Sequence, residues 1–178
     1  MYKTLGEALK NISHANAIKR QGVAKSLAHF KEPERIDALI TMLHDIDEGV
    51  RDQAAQSLAE IGAEKAIQPL IDCFIDPQRK AQPNIDGEVS SHIADSLKKF
   101  GAKAVPALLP FLDDPVDALQ KNILWLLAEI ADPNTVETLI AVHDKSDEGA
   151  VRYAIKEALK KINSGPARAF LGGLKKRW

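Results

Sequence analysis

A unit of about 31 residues recurs along the chain, and this internal repetition constrains the fold more than any other feature of the sequence. Aligned on the last apolar residue of each unit, the five copies end at Phe30, Ile61, Phe100, Ile130 and Ile162. The spacings between these residues are 31, 39, 30 and 32, so the third copy carries an insertion of roughly eight residues. The chain therefore divides into repeats at about 1–32, 33–63, 64–102, 103–132 and 133–163.

Each copy contains two apolar patterns with helical spacing. The first has apolar residues at i, i+3, i+4 and i+7, and the second has them at i, i+4, i+8 and i+11. Two polar residues occupy apolar positions of these patterns, Lys19 in the first copy and His143 in the last. The patterns predict first helices at 3–12, 34–44, 65–75, 103–112 and 134–143, and second helices at 16–30, 48–61, 87–100, 116–130 and 148–162.

A single helical hairpin cannot bury its apolar face, whereas stacked hairpins share a continuous core. The sequence therefore predicts an all-α fold, an α/α superhelix (solenoid) of five helical hairpins. Glycine and proline lie between the predicted helices, for example at Gly62, Gly101 and Pro133, where they favour helix ends. No segment has the alternating pattern of a strand.

Composition excludes several classes of protein. Lys and Arg number 24 against 25 Asp and Glu, and this balance disfavours a globally basic nucleic-acid binder. A single cysteine excludes a disulfide scaffold and fits a reducing compartment, so we expect a cytoplasmic location. No apolar run approaches the length of a membrane span, and the first residues lack the apolar stretch of a signal peptide. We therefore expect no membrane association.

Two segments, EGVRDQAAQSLAEIGAEKAIQPLI and GAKAVPALLPFLDDP, resemble HEAT repeats, especially the short type of phycobilisome-lyase-like HEAT proteins. The resemblance covers roughly residues 3–163. It specifies the fold more than the function, because that family includes scaffolds, adaptors, chromophore lyases and a few enzymes. It also implies a structural ladder of arginines that pair with acids in the turns, here Arg20, Arg51 and Arg152. The third and fourth repeats depart from this pattern, with Ser90 and Gln120.

Two aromatic residues stand out on the predicted second helices, which line the concave side in solenoids of this type. At 100° per residue, positions equivalent to 52, 56 and 59 point away from the core, and in the fourth copy they hold Lys121, Trp125 and Ala128. Trp125 and Tyr153 are the large aromatic residues among these positions, and such residues dominate binding hot spots. We predict a partner-binding site there, with polar neighbours Lys121, Asn122, Asp95, His92 and Glu129. The alternative is that Trp125 covers neighbouring side chains or the C-terminal tail.

Two segments fall outside the repeat pattern. The insertion, residues 77–87, is predicted to be a loop, and Arg79 and Lys80 in it either contact a partner or belong to a tolerated insertion. The C-terminal segment, residues 164–178, has helically spaced apolar residues at Ala167, Phe170, Leu171 and Leu174. This spacing predicts a short helix that caps the last repeat, or else a detachable amphipathic peptide.

Catalytic motifs are scarce. The sequence contains no H-x-x-x-H, no Walker loop and no G-x-G-x-x-G, and Cys73 lies in a mostly apolar helix as a structural thiol would. We therefore predict no catalytic residues, no metal site and no cofactor. The predicted function is a non-enzymatic scaffold or adaptor that binds another protein on the concave face.

The resemblance leaves open two other functions. A chromophore (bilin) lyase-like or chromophore-handling protein is implied by the family alone. A HEAT-like DNA-repair glycosylase would need a basic concave face with an aromatic pocket and a catalytic acid, and the mixed charges here fit that poorly.

Overall fold

A computed structural model of the chain describes residues 2–75, 91–113 and 117–175, apart from the side chains of residues 91, 113, 117–119 and 175. Every regular element within these ranges is helical, so the predicted all-α repeat fold is confirmed. The chain forms two compact units, Met1–Phe100 and Gly101–Trp178, which we call the N-terminal and C-terminal units.

In the described part of the N-terminal unit, second helices of neighbouring repeats stack on each other. Helix α4 packs against both α2 and α6, while α3 packs on α4 and α5 on α6. The buried side chains are mostly Leu, Ile, Val and Ala, which allow close approach of helices. The helices are α1 (Leu5–Leu9), α2 (Ala17–Leu27), α3 (Glu34–Met42), α4 (Glu48–Ile61), α5 (Ile67–Ile75) and α6 (Ser91–Phe100).

The C-terminal unit follows the same plan and ends in an additional helix. Helix α10 packs on α8, α9 packs on α10, and α11 contacts both α9 and α10 with Ala167 fully buried. The helices are α7 (Val105–Leu108), α8 (Asp117–Ile130), α9 (Val136–Lys145), α10 (Gly149–Ile162) and α11 (Gly165–Lys175).

The second helices match their predicted spans more closely than the first helices do. Helix α4 has the predicted bounds, and α8 and α10 each begin one residue late. The predicted helix at 103–112 is instead a short α-helix between two 3-10 segments, Gly101–Ala104 and Leu109–Asp113. Pro110 explains this break, because proline has no N–H to donate and its ring clashes with the carbonyl four residues earlier.

Two other helices are shorter than predicted. Helix α1 spans Leu5–Leu9 rather than 3–12, and α2 ends at Leu27 rather than at 30. Both finish in tight turns, in which the amides of Asn11 and Phe30 bond to carbonyls three residues back. The predicted start of α6 at residue 87 lies outside the described residues. Lys19, at an apolar position of the pattern, is exposed, and the buried position beside it belongs to Arg20.

Candidate functional site

Trp125 and Tyr153 are both exposed on neighbouring, packed helices of the C-terminal unit. The exposed fraction is 47% for Trp125 on α8 and 65% for Tyr153 on α10. Around them the core is made by fully buried residues of the same helices, including Ile123 and Leu127 on α8 and Ile155 on α10. The aromatic side chains therefore lie on the outer side of helices that are anchored by their inner sides.

A cross-helix ion pair fixes how the two helices are aligned. Glu129 near the end of α8 pairs with Lys161 near the end of α10. Counting back from this pair four residues at a time, which keeps to one side of a helix, aligns Trp125 with Glu157 and Lys121 with Tyr153 in the register of the two helices. We call these six side chains the aromatic face: Lys121, Trp125 and Glu129 on α8, and Tyr153, Glu157 and Lys161 on α10.

The charged groups of the aromatic face have partners close by. Lys160 donates to Glu157 at 2.5 Å, and the carboxylate of Glu157 raises the pKa of Lys160. Lys121 and Glu129 are half-buried on α8, as is Asn122 next to Lys121 in sequence. The face thus presents two aromatic rings among charges that pair largely with each other.

Two of the predicted site residues lie in the N-terminal unit. His92 and Asp95 are exposed on α6; Nδ1 of His92 lies 3.0 Å from Asp52 of α4, and Asp95 pairs with Lys98 at 2.6 Å. Both belong to an open groove of about 520 Å³ that is lined by residues with polar or charged side chains. The groove is lined by Gln56, His92, Asp95, Ser96, Lys98 and Lys99.

The structure corrects the predicted orientation of Ala128, and it does not describe the predicted loop residues Arg79 and Lys80. Ala128 was predicted to point away from the core, but it is only 6% exposed. It lies one helical turn beyond Leu124, which is fully buried, so it stands at the edge of the buried side of α8. Arg79 and Lys80 lie outside the described residues.

The three arginines early in the second helices all bind turns. The guanidinium of Arg20 holds the carboxylate of Asp45 through Nε and Nη2, each at 2.6 Å, and its Nη1 donates to the carbonyls of His14 and Ala15. Arg51 donates to the carbonyls of Asp45 and Ile46, both at 3.0 Å. Arg152 donates to the carbonyl of Ser146 at 2.6 Å.

Within residues 2–75, 91–113 and 117–175, Arg20 is the one of these three arginines that links two repeats through a charged partner. The bond from Arg20 lowers the pKa of Asp45 and raises that of Arg20 itself. Arg51 and Arg152 bind backbone carbonyls of their own repeats. The repeated arginine thus orders the turn before its helix, and in the first repeat it also reaches the next turn.

Exposed apolar residues in the N-terminal unit are a feature that the repeat pattern did not identify. Ile18, at the start of α2, and Ile46, in the turn before α4, are both strongly exposed. Neither residue falls on a position that the pattern assigns to the core. An apolar residue outside those positions was the sequence signal that could have identified them as exposed.

The described residues contain neither a cluster of metal ligands nor a helix that could span a membrane. Within 2–75, 91–113 and 117–175, no three His, Cys, Asp or Glu side chains converge in a way that could hold a metal ion. Over the same ranges, no helix combines the length and the apolar character needed to cross a bilayer.

Comparison with known proteins agrees with this architecture. The family model for HEAT repeats matches residues 2–82 and 105–174. The chain is similar to a solved chain of the complex of CpcE and CpcF of phycocyanin lyase from Nostoc sp. PCC7120, with 23% sequence identity and a TM-score of 0.55. That similarity covers 96% of this chain and 69% of the other, and at this identity it concerns the fold alone.

Two further solved structures show weaker similarity. An engineered protein has 19% identity and a TM-score of 0.48, over 94% of this chain and 85% of its own. Human deoxyhypusine hydroxylase, in complex with glycerol, has 17% identity and a TM-score of 0.42, over 94% and 76%. No curated protein sequence gives a significant match.

Proposed function

The chain belongs to the HEAT-repeat family, and on that premise we propose that it is a non-enzymatic scaffold or adaptor that binds another protein through the aromatic face. The observation that carries the proposal is the exposure of Trp125 and Tyr153 on two packed helices. Full burial of a large apolar side chain is worth about 1.5–3 kcal/mol, and covering the exposed parts of these two rings by a partner would recover a part of that energy for each.

The two helices that carry Trp125 and Tyr153 are anchored by their buried sides, which favours a binding role for these side chains. Both rings stand on 14-residue helices whose opposite sides are fully buried, so their positions need little further ordering on binding. The cross-helix pair Glu129–Lys161 adds a contact between the two helices beside the rings. A pre-ordered surface of this kind loses less conformational entropy on association than a loop does.

The experiment compares partner capture by two double variants. Trp125→Ala with Tyr153→Ala removes the aromatic anchors, and Ile18→Ala with Ile46→Ala removes two exposed apolar side chains from the N-terminal unit as a matched control. Each tagged protein is used to purify partners from the native host, followed by mass spectrometry and far-UV circular dichroism. We expect the first variant to keep its helical signal and lose the partner, and the control to keep both.

Two outcomes would overturn the proposal. Equal capture by the wild type and the Trp125/Tyr153 variant would show that the aromatic face does not bind. Loss of helical signal in that variant would show that the two rings stabilise the fold instead.

Chromophore handling remains an alternative that the family resemblance implies. The similarity to the phycocyanin lyase complex, at 23% identity, supports the fold and nothing further. A change in bilin absorbance or fluorescence on mixing with the wild-type chain would favour this alternative over the scaffold. Nucleic-acid binding is not part of the proposal, and salt-sensitive DNA binding would contradict it.

A cytoplasmic location belongs to the same proposal. The chain has one cysteine, Cys73, and that residue is buried, so it is suited to a compartment in which thiols stay reduced. Fractionation of the native host would check the compartment.

A further inference from the structure

Helix α11 is held to the C-terminal unit by one narrow side. Ala167 is fully buried against α9 and α10, whereas Phe170, Leu171 and Leu174 are half-buried, and Arg168 and Ala169 are exposed. The contact is therefore much smaller than that between α8 and α10, which bury several fully enclosed Leu and Ile side chains.

The surface beneath α11 contains a polar side chain at a position that is apolar in the other repeats. His143 is 6% exposed, and its ring lies edge-on to that of Phe170, with centroids 5.1 Å apart at 85°. Its Nδ1 lies 3.1 Å from Asp144, but its buried Nε2 has no hydrogen-bond partner in the described part of the chain. The equivalent residues of the other four copies are Ile12, Leu43, Phe74 and Leu112.

This histidine lowers the cost of uncovering the surface. A buried polar atom without a partner is unfavourable while the cover is in place, and it gains a hydrogen bond to water when the cover leaves. A leucine at the same position would gain nothing from water and would favour the covered state.

Helix α11 is also intrinsically weak. Gly172 and Gly173 are adjacent, exposed and within the helix, where each glycine is less favourable than alanine. An isolated helix of this length is marginal in water, so α11 depends on its contact with α9 and α10.

The connection allows α11 to leave without disturbing its neighbour. Helix α10 is closed by Asn163, which has a left-handed φ of +47° and donates its backbone N–H to Leu159. Pro166, in the first turn of α11, opposes fusion of the two helices. The backbone bond that closes α10 thus uses residues that precede α11. Arg168 of α11 also donates to the carbonyl and Oδ1 of Asn163, and these two exposed bonds are the ones at this junction that release would break.

From these observations we propose that α11 is a releasable cap. It undocks as a unit from α9 and α10 while the repeats stay folded, and its release uncovers a surface centred on His143. This device is independent of the aromatic face and goes beyond the function proposed above.

Hydrogen exchange of the full chain, read by NMR or by fragment mass spectrometry, tests the proposal. We expect the bonded amides of α11 to exchange together: once each rate is divided by the intrinsic rate of that amide, they should share one value, which is higher than the values in α8 and α10. A gradient of rates that rises towards the C-terminal end of α11 would indicate simple fraying and would overturn the proposal. Exchange of α11 at the same rate as α10 would overturn it as well.

Replacing the two glycines of α11 with alanine changes the stability of the helix without changing its contact with α9 and α10. An added Cβ at Gly172 or Gly173 would meet no atom within 4 Å, so Gly172→Ala with Gly173→Ala strengthens the helix without altering its packing. We expect exchange of α11 to slow by up to about fivefold for each glycine replaced. Gly22→Ala in α2, which also has open space, is the control and should leave α11 unchanged.

Two substitutions in the contact should act in opposite directions. Phe170→Ala should accelerate exchange in α11 alone, and His143→Leu should slow it. If Phe170→Ala accelerates α10 to the same extent, α11 and α10 open together and the proposal is wrong.

Discussion

Arg20 in the first repeat donates two hydrogen bonds of 2.6 Å each to the carboxylate of Asp45, which lies in the turn of the second repeat. Both side chains are about nine-tenths buried. The same carboxylate accepts the backbone N–H of Asp47, which in turn caps the start of α4 through Val50. One ion pair thus connects the stacking of two repeats to the start of the helix that follows.

Loss of this carboxylate should destabilise the chain more than loss of an exposed pair. Asp45→Ala leaves the buried guanidinium without its charged partner, and we expect a decrease of about 2–3 kcal/mol in the free energy of unfolding. The matched control is Lys65→Ala, since Lys65 and Asp37 also lie 2.6 Å apart but are 49% and 71% exposed. That variant should lose no more than about 1 kcal/mol. Equal losses in urea denaturation would contradict the expectation.

The same pair predicts a dependence of stability on pH. The bond from Arg20 holds the pKa of Asp45 below its usual value. The stabilisation is therefore complete above about pH 4, where Asp45 of the unfolded chain is ionised, and it is lost as the pH falls through the lower pKa of the folded chain. We expect the difference in free energy of unfolding between wild type and Asp45→Asn to shrink below about pH 4. A difference that stays constant with pH would show that the charge of Asp45 is not responsible.

The repeat period predicts the helices because apolar spacing and burial are local properties. Val50 and Leu58 on α4, like Ile123 and Leu127 on α8, are fully buried as their positions in the pattern require. Exposure of Trp125 likewise follows from its angular position on the helix. Whether the aromatic face binds a partner is not decided by that position and stays a prediction.

Other features depend on contacts between segments and could not be read from spacing. The pairing of Glu129 with Lys161 requires the register between α8 and α10. The ring of His143 packs edge-on against Phe170, which comes from a segment outside the repeats. The break at Pro110, by contrast, has a local cause. A prediction from apolar spacing alone does not take the proline into account.

Two glycines with different backbone conformations should respond oppositely to alanine. Gly62 ends α4 with φ +69°, a left-handed conformation that alanine adopts at a cost of about 1 kcal/mol. Gly22 lies within α2, with open space for a Cβ, so Gly22→Ala should raise the free energy of unfolding by about 0.5–1 kcal/mol. Urea denaturation of the two single variants gives both values. If Gly62→Ala does not lower the free energy of unfolding, the backbone conformation at Gly62 does not limit stability.

Partner binding at the aromatic face should depend little on salt. Glu129 pairs with Lys161 within the face, and Glu157 pairs with Lys160 beside it, so these four charges largely cancel. The anchors that remain are the rings of Trp125 and Tyr153, whose burial is not screened by ions. Once the captured partner is purified, we expect its affinity to change by less than about threefold between 0.1 and 0.5 M NaCl. A fall of tenfold or more would mean that charge complementarity, rather than the two rings, drives the association.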